Sequence, residues 1–171
     1  MDWESDKAWA DRYWEDVEAI IRRVAGKIIE VKPAGVLDDQ MFARDYVIAS
    51  GCIACRLRRS DCKYRDITIR SSRPMSGNIT ELKKIVDGHV RWMLYGWTDR
   101  SSQSISEWIF LDAHLIVQKK LHEGRKEILN HDLSSSFIAI DLPTLISAGV
   151  VIDSKLSKPT TLRINGSRKL F

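Results

Sequence analysis

The segment Ile53-Ala54-Cys55-Arg56-Leu57-Arg58 alternates apolar and polar side chains with a period of two and follows a Ser50-Gly51 pair. That period is the signature of a strand with one residue set on each face. Ile53, Cys55 and Leu57 share one face, expected to be core. Ala54, Arg56 and Arg58 share the other, expected to be displayed. A second apolar run, headed by Asp45, ends at Ala49 just before the Ser50-Gly51 turn. Two short strands joined so tightly are expected to be antiparallel neighbours. A third run, Asp66-Ile67-Thr68-Ile69-Arg70, repeats the alternation, with Ile67 and Ile69 inward and Asp66, Thr68 and Arg70 outward. Residues 44–73 hold eight Lys or Arg and three Asp, so the expected sheet surface is arginine-rich.

The rest of the chain alternates helix and strand patterns. Residues 6–25 place Trp9, Tyr13, Val17, Ile20, Ile21 and Val24 at spacings of three and four, which predicts an amphipathic helix closed by Gly26. Residues 27–32 predict a first strand, broken at Pro33. Asn78 and Glu81 have capping-box spacing at the head of a short helix. An aromatic strand over 90–97 and a strand over 107–111 predict a hairpin with a long connection. In it Trp92, Tyr95, Trp97 and Trp108 are either core or base-stacking residues. Asp112 and Asp141 head two further short helices, ended by Gly124 and Gly149, with strands over 137–141 and 150–152. The expected order is α-β-β-β-β-α-β-β-α-β-α-β. One domain over 1–153 precedes a basic tail over 154–171.

Charge is unevenly spread. The chain has net charge +4. Residues 1–20 carry seven acids against Lys7 and Arg12, whereas 155–171 carry five cations and no acid. Two basic blocks predict a polyanion partner, nucleic acid before others, or a solvated charged surface. No run approaches the ~20 apolar residues of a membrane span, and the acidic N-terminus has no apolar signal core, so a cytoplasmic protein without membrane association is expected. The three cysteines, Cys52, Cys55 and Cys62, are too few and too odd in number for a disulfide framework. They are expected to be small core residues, with a zinc set completed by His89 as the alternative. His89, His114, His122 and His131 form no metal spacing of their own, and there is no Gly-rich phosphate loop.

An acid at the second strand and a cation two places along the outward face of the third make the chain resemble the PD-(D/E)XK, or restriction-endonuclease-like, superfamily. The resemblance covers roughly residues 6–112 and rests mainly on element order. It implies a mixed central sheet flanked by helices, with Mg²⁺ or Mn²⁺ as the cofactor of a phosphodiester hydrolase. It places a metal ligand on Asp45 and the third-strand lysine on Arg56. The third-strand carboxylate falls on Ala54, which binds no metal, and an arginine is a poor general base. Glu30, Asp66 and Glu81 are the acids that a migrated site would use, Glu30 and Asp66 as metal ligands and Glu81 beside Arg56 in catalysis. Arg58, Arg59, Arg65, Arg70 and Arg73 are candidate nucleic-acid contacts through their planar forks. The expectation is a nucleic-acid-associated protein, DNA being the first candidate, either a metal-dependent nuclease or an inactive derivative. The alternative is a non-catalytic protein that binds DNA or an acidic protein partner through its basic face.

Overall fold

The computed structural model describes residues 8–28, 30–33, 46–49, 52–59, 64–73, 79–99 and 104–157, with backbone alone at 28, 30–33 and 46–49. Nine strands and four helices can be labelled: α1 (Trp14–Ile28), β1 (Glu30–Pro33), β2 (Tyr46–Ala49), β3 (Ile53–Arg58), β4 (Asp66–Ser72), α2 (Glu81–Val86), β5 (Trp92–Thr98), β6 (Ile105–Asp112), α3 (Ala113–Gln118), β7 (Ile128–Leu129), β8 (Ser136–Asp141), α4 (Leu142–Ser147) and β9 (Val151–Lys155). The chain is a mixed α/β protein. Its strands are shared among a two-stranded pair β1-β2, a four-stranded sheet β3-β5-β6-β9 and a three-stranded sheet β4-β8-β7. The four-stranded sheet is mixed, because β3 runs parallel to β5 while β5-β6 and β6-β9 are antiparallel. The three-stranded sheet is antiparallel throughout.

The expected antiparallel pair of β2 and β3 does not form. β2 pairs with β1, and β3 pairs in parallel with β5, with Ile53 opposite Trp92 and Arg58 opposite Trp97. The physical reason lies in β5, whose seven residues are all buried. A strand that apolar offers two faces and two edges to cover, and β3 covers one edge. β4 pairs with β8 from Asp66–Asp141 to Ser72–Ser136. The strand β7 falls in a segment expected to be loop.

Two apolar clusters flank the four-stranded sheet. One side of β5 and β6 contributes Trp92, Leu94, Trp108 and Phe110, which pack with Tyr13, Val17, Ile20 and Val24 of the N-terminal helical segment. The other side contributes Met93, Tyr95, Trp97, Ile109 and Leu111, which pack with Ile67, Ile69, Ile138 and Ile140 of the second sheet and with Ile85, Ile116 and Leu145 of α2, α3 and α4. The result is three layers: α1, the mixed sheet, and the antiparallel sheet with the three short helices. Trp92, Tyr95, Trp97 and Trp108 are all buried, so packing rather than base stacking is their role.

Local sequence signals explain most boundaries. Asp112 caps α3 by accepting from the Leu115 N–H at 3.0 Å, and Asp141 caps α4 by accepting from the Thr144 N–H at 2.8 Å. Gly149 closes α4 with φ +66°, a region costly for other residues. Two expectations at helix ends are corrected. The long helix does not stop at Gly26: after a helical turn over 8–11 and a break at 12–13, α1 runs on to Ile28. α2 is capped not by Asn78, which lies outside the described residues, but by Thr80, whose Oγ1 accepts from the Lys83 N–H at 3.2 Å.

α1 is locked to the sheet edge electrostatically as well as by packing. Asp153 on β9 lies 2.9 Å from Lys27 Nζ and 3.5 Å from Arg23. The hydrogen bond from Lys27 is the largest influence holding the Asp153 carboxyl below its ordinary range. A carboxyl depressed on folding adds stability above its unfolded value, near pH 4, and loses it as pH falls through the folded value. Asp153→Asn is therefore expected to lower stability at neutral pH and to reduce the acid-side loss below about pH 4, as read by urea unfolding across pH.

Gly96, central in β5, gives a second test. A Cβ there would lie 2.9 Å from Leu57 Cδ2 and 3.2 Å from Ile105 Cγ2. Gly96→Val is expected to cost about 1–3 kcal/mol in urea unfolding, because the branched side chain overfills the α1 cluster.

Candidate nucleic-acid interface

Arg56 and Arg58 project from β3 toward the second sheet rather than into solvent. This corrects the expectation of a displayed arginine face. β3 is an edge strand of one sheet and β4 an edge strand of the other. An unpaired edge leaves backbone groups that need partners. Residues Thr68 and Arg70, two apart, turn the same edge of β4 outward, and side chains satisfy it. The Thr68 carbonyl accepts from Arg56 Nη1 at 3.2 Å, and the Arg70 N–H donates to Glu81 Oε2 at 3.0 Å. Arg56 Nη2 and Glu81 Oε2 then close on each other at 2.8 Å. Glu81 serves the edge of β4, not the expected capping box.

Arg58 makes the second tie. Its Nη1 lies 3.1 Å from Asp66 Oδ1, its Nη2 donates to Thr68 Oγ1 at 3.1 Å, and its Nε donates to the Tyr95 hydroxyl. Thr68 Oγ1 and the Tyr95 hydroxyl are 3.2 Å apart. Tyr95 is fully buried and Thr68 nearly so, which corrects the outward placement of Thr68. A third tie joins Arg65, stacked 5.6 Å from the Trp97 ring centroid, to the buried carboxylate of Glu107. Glu107 also accepts from the Ser157 N–H at 3.1 Å, which anchors the chain just beyond β9. Tyr95, expected as a core or base-stacking residue, is a buried member of this seam, and Glu107 is not among the candidates read from the sequence. Glu107 was detectable, since it shares strand parity with the inward residues Ile109 and Leu111.

The two candidate acids whose side chains are described, Asp66 and Glu81, do not gather. Asp66 and Glu81 are served by different arginines, and Glu81 meets β4 at Arg70, four residues or roughly 13 Å of strand from Asp66. Among the described residues no three His, Cys, Asp or Glu side chains converge. Asp66 and Glu81 therefore do not share one Mg²⁺ or Mn²⁺ site. Asp45 lies outside the described residues, and Glu30 is described in backbone only, on β1. Ala54, where the resemblance puts a carboxylate, packs against the apolar cluster between the sheets. Cys52 and Cys55 are free thiols at the surface rather than the small core residues expected, although partial burial of the Cys55 thiol pushes its pKa up to about 11; Cys62 lies outside the described residues.

Beyond Arg56 and Arg58 the cations differ in how they are held. Arg70 and Arg73 have no ion-pair partner among the described residues. Burial first, then the neighbouring charges of Arg73 and Arg56, hold the Arg70 guanidinium below its ordinary value, against the opposing pull of Glu81 and Asp132. Arg70 thus sits among both like and opposite charges, with burial the main influence on it. Arg59, exposed at the end of β3, lies over the Trp9 ring at 5.0 Å.

Comparison of the chain with protein-family models, with curated proteins and with solved structures finds no match. No described helix is long and apolar enough to cross a membrane.

The edge tie can be measured directly. Arg56→Ala and Glu81→Ala are each expected to destabilise by about 1–3 kcal/mol, since each leaves a half-buried partner without its bond. The double variant is expected to cost less than the two singles together, with a coupling of about 1 kcal/mol in urea unfolding.

Proposed function

We propose that this chain is a nucleic-acid-associated protein that binds a phosphate backbone, DNA being the first candidate, without hydrolysing it. The observation that carries the reading is the Arg70–Arg73 pair: like charges at one end of β4, unpaired among the described residues, with Arg70 shifted by burial and by its cationic neighbours. A phosphate relieves that repulsion and matches the planar guanidinium fork.

Three features support binding over hydrolysis. Ala54 is packed into the apolar cluster. Arg56 is committed to Glu81 and the Thr68 carbonyl. Asp66 is ion-paired with Arg58. Arg56, Asp66 and Glu81, three of the residues that a migrated nuclease site would use, are thus already engaged in joining two sheets. On this reading a restriction-endonuclease-like ancestry is that of an inactive derivative.

Fluorescence anisotropy with labelled DNA tests the reading. Affinity is expected to fall steeply between about 50 and about 200 mM salt. The Arg70→Ala/Arg73→Ala double variant is expected to weaken binding and to flatten the log–log salt slope by about 1.4–1.8, the share of two phosphate contacts. Cleavage of DNA in Mg²⁺ or Mn²⁺ that disappears in Asp45→Ala would overturn the non-catalytic reading. Salt-insensitive binding would overturn the phosphate contact.

A further inference from the structure

The aromatic side chains of β5 and β6 are buried, but the Trp9–Arg59 pair stands at the surface. Trp9 is half-buried in the helical turn before α1, packed against the α1 cluster and held edge-on to Tyr13 with ring centroids 5.2 Å apart. The Arg59 guanidinium lies 5.0 Å from the Trp9 centroid. Beside them a shallow groove of about 520 Å³ is bordered by Ala8, Trp9, Arg12 and Arg59. Arg12 is exposed at the break between the helical turn and α1. A fixed indole, a guanidinium plane carried on it, a second cation and open space therefore coincide.

That combination suits one nucleotide of a flexible strand. A nucleobase stacks on an arginine plane or an indole face, and a neighbouring cation takes the phosphate. Bases inside a duplex are already stacked on one another and cannot use the groove without being unstacked. Strand geometry also places the groove usefully. Arg58 meets Asp66 while Arg56 reaches the β4 edge near Arg70, so Arg59 and Arg73 lie toward opposite ends of this edge. Three residues of rise at each end separate them by about 20 Å, a span that a site of several nucleotides covers.

We propose that the groove at Trp9, Arg12 and Arg59 is a base-stacking subsite, and that the nucleic acid bound is single-stranded. This rests on the phosphate-backbone reading and goes beyond it by naming the strand state and the residues that select it.

The test compares a labelled single strand of about 12 nucleotides with the duplex of the same sequence, using the full chain and anisotropy in low salt. The single strand is expected to bind more tightly. Arg59→Ala is expected to weaken single-strand binding by about fivefold or more while leaving duplex binding within about twofold. Arg59→Lys, which keeps the charge but loses the plane, is expected to behave like Arg59→Ala. Trp9→Phe, checked for an unchanged unfolding midpoint, is expected to preserve the single-strand preference, since an aromatic face remains. Equal losses for single strand and duplex in Arg59→Ala, or full rescue by Arg59→Lys, would overturn the stacking subsite and leave the Arg70–Arg73 reading standing. Absence of binding to both nucleic acids by the wild-type chain would overturn both.

Discussion

An unpaired strand edge inside a folded protein has to be satisfied by something, and here it is satisfied by an ion pair. The Arg56–Glu81 couple reaches one edge of β4 from β3 and α2, one partner donating to the Thr68 carbonyl and the other accepting from the Arg70 N–H. This lets two sheets meet at their edges without sharing a ladder. The apolar cluster between the sheets depends on that meeting, because Ile67 and Ile69 of β4 reach Tyr95 and Ile109 only when β4 lies beside β3. Arg58, Thr68 and Tyr95 extend the same polar seam inward. Partial burial makes the seam demanding: fully paired it orients the sheets, and with one member missing it leaves a charge without its partner.

The seam also sorts the arginines by task. Arg56, Arg58 and Arg65 are drawn toward Glu81, Asp66 and Glu107. Arg70 lies near Arg73 and Arg56 as well as Glu81 and Asp132, without an ion-pair contact among the described residues, and Arg59 is carried at the surface on Trp9. Charge count alone does not separate the two kinds, since all six arginines lie within residues 56–73.

Much of the local structure was legible. The two aspartate caps, the glycine at the end of α4, the buried stripe Tyr13-Val17-Ile20-Val24 and the β5-β6 hairpin all follow from short-range chemistry and periodicity. The pairing of β3 was not. The short turn made β2 its obvious neighbour, yet the fully buried β5 takes it, because covering an apolar strand outweighs sequence proximity. The buried Thr68 was misplaced for a related reason. Alternation separates two faces of a strand but does not say whether the second face meets water or another sheet.

The sequence by itself determined the strand and helix periods, the caps and the basic character of residues 44–73, since each depends on residues a few positions apart. Only the tertiary structure decided that Arg56 and Glu81 form a seam, that Asp66 is an arginine's partner and that Trp9 carries Arg59 beside a groove. Those pairings join residues 8 to 50 positions apart in the chain, and no local pattern encodes which of several arginines will reach which acid. Packing of the two apolar clusters sets those distances, and the distances select which arginines tie the two sheets together.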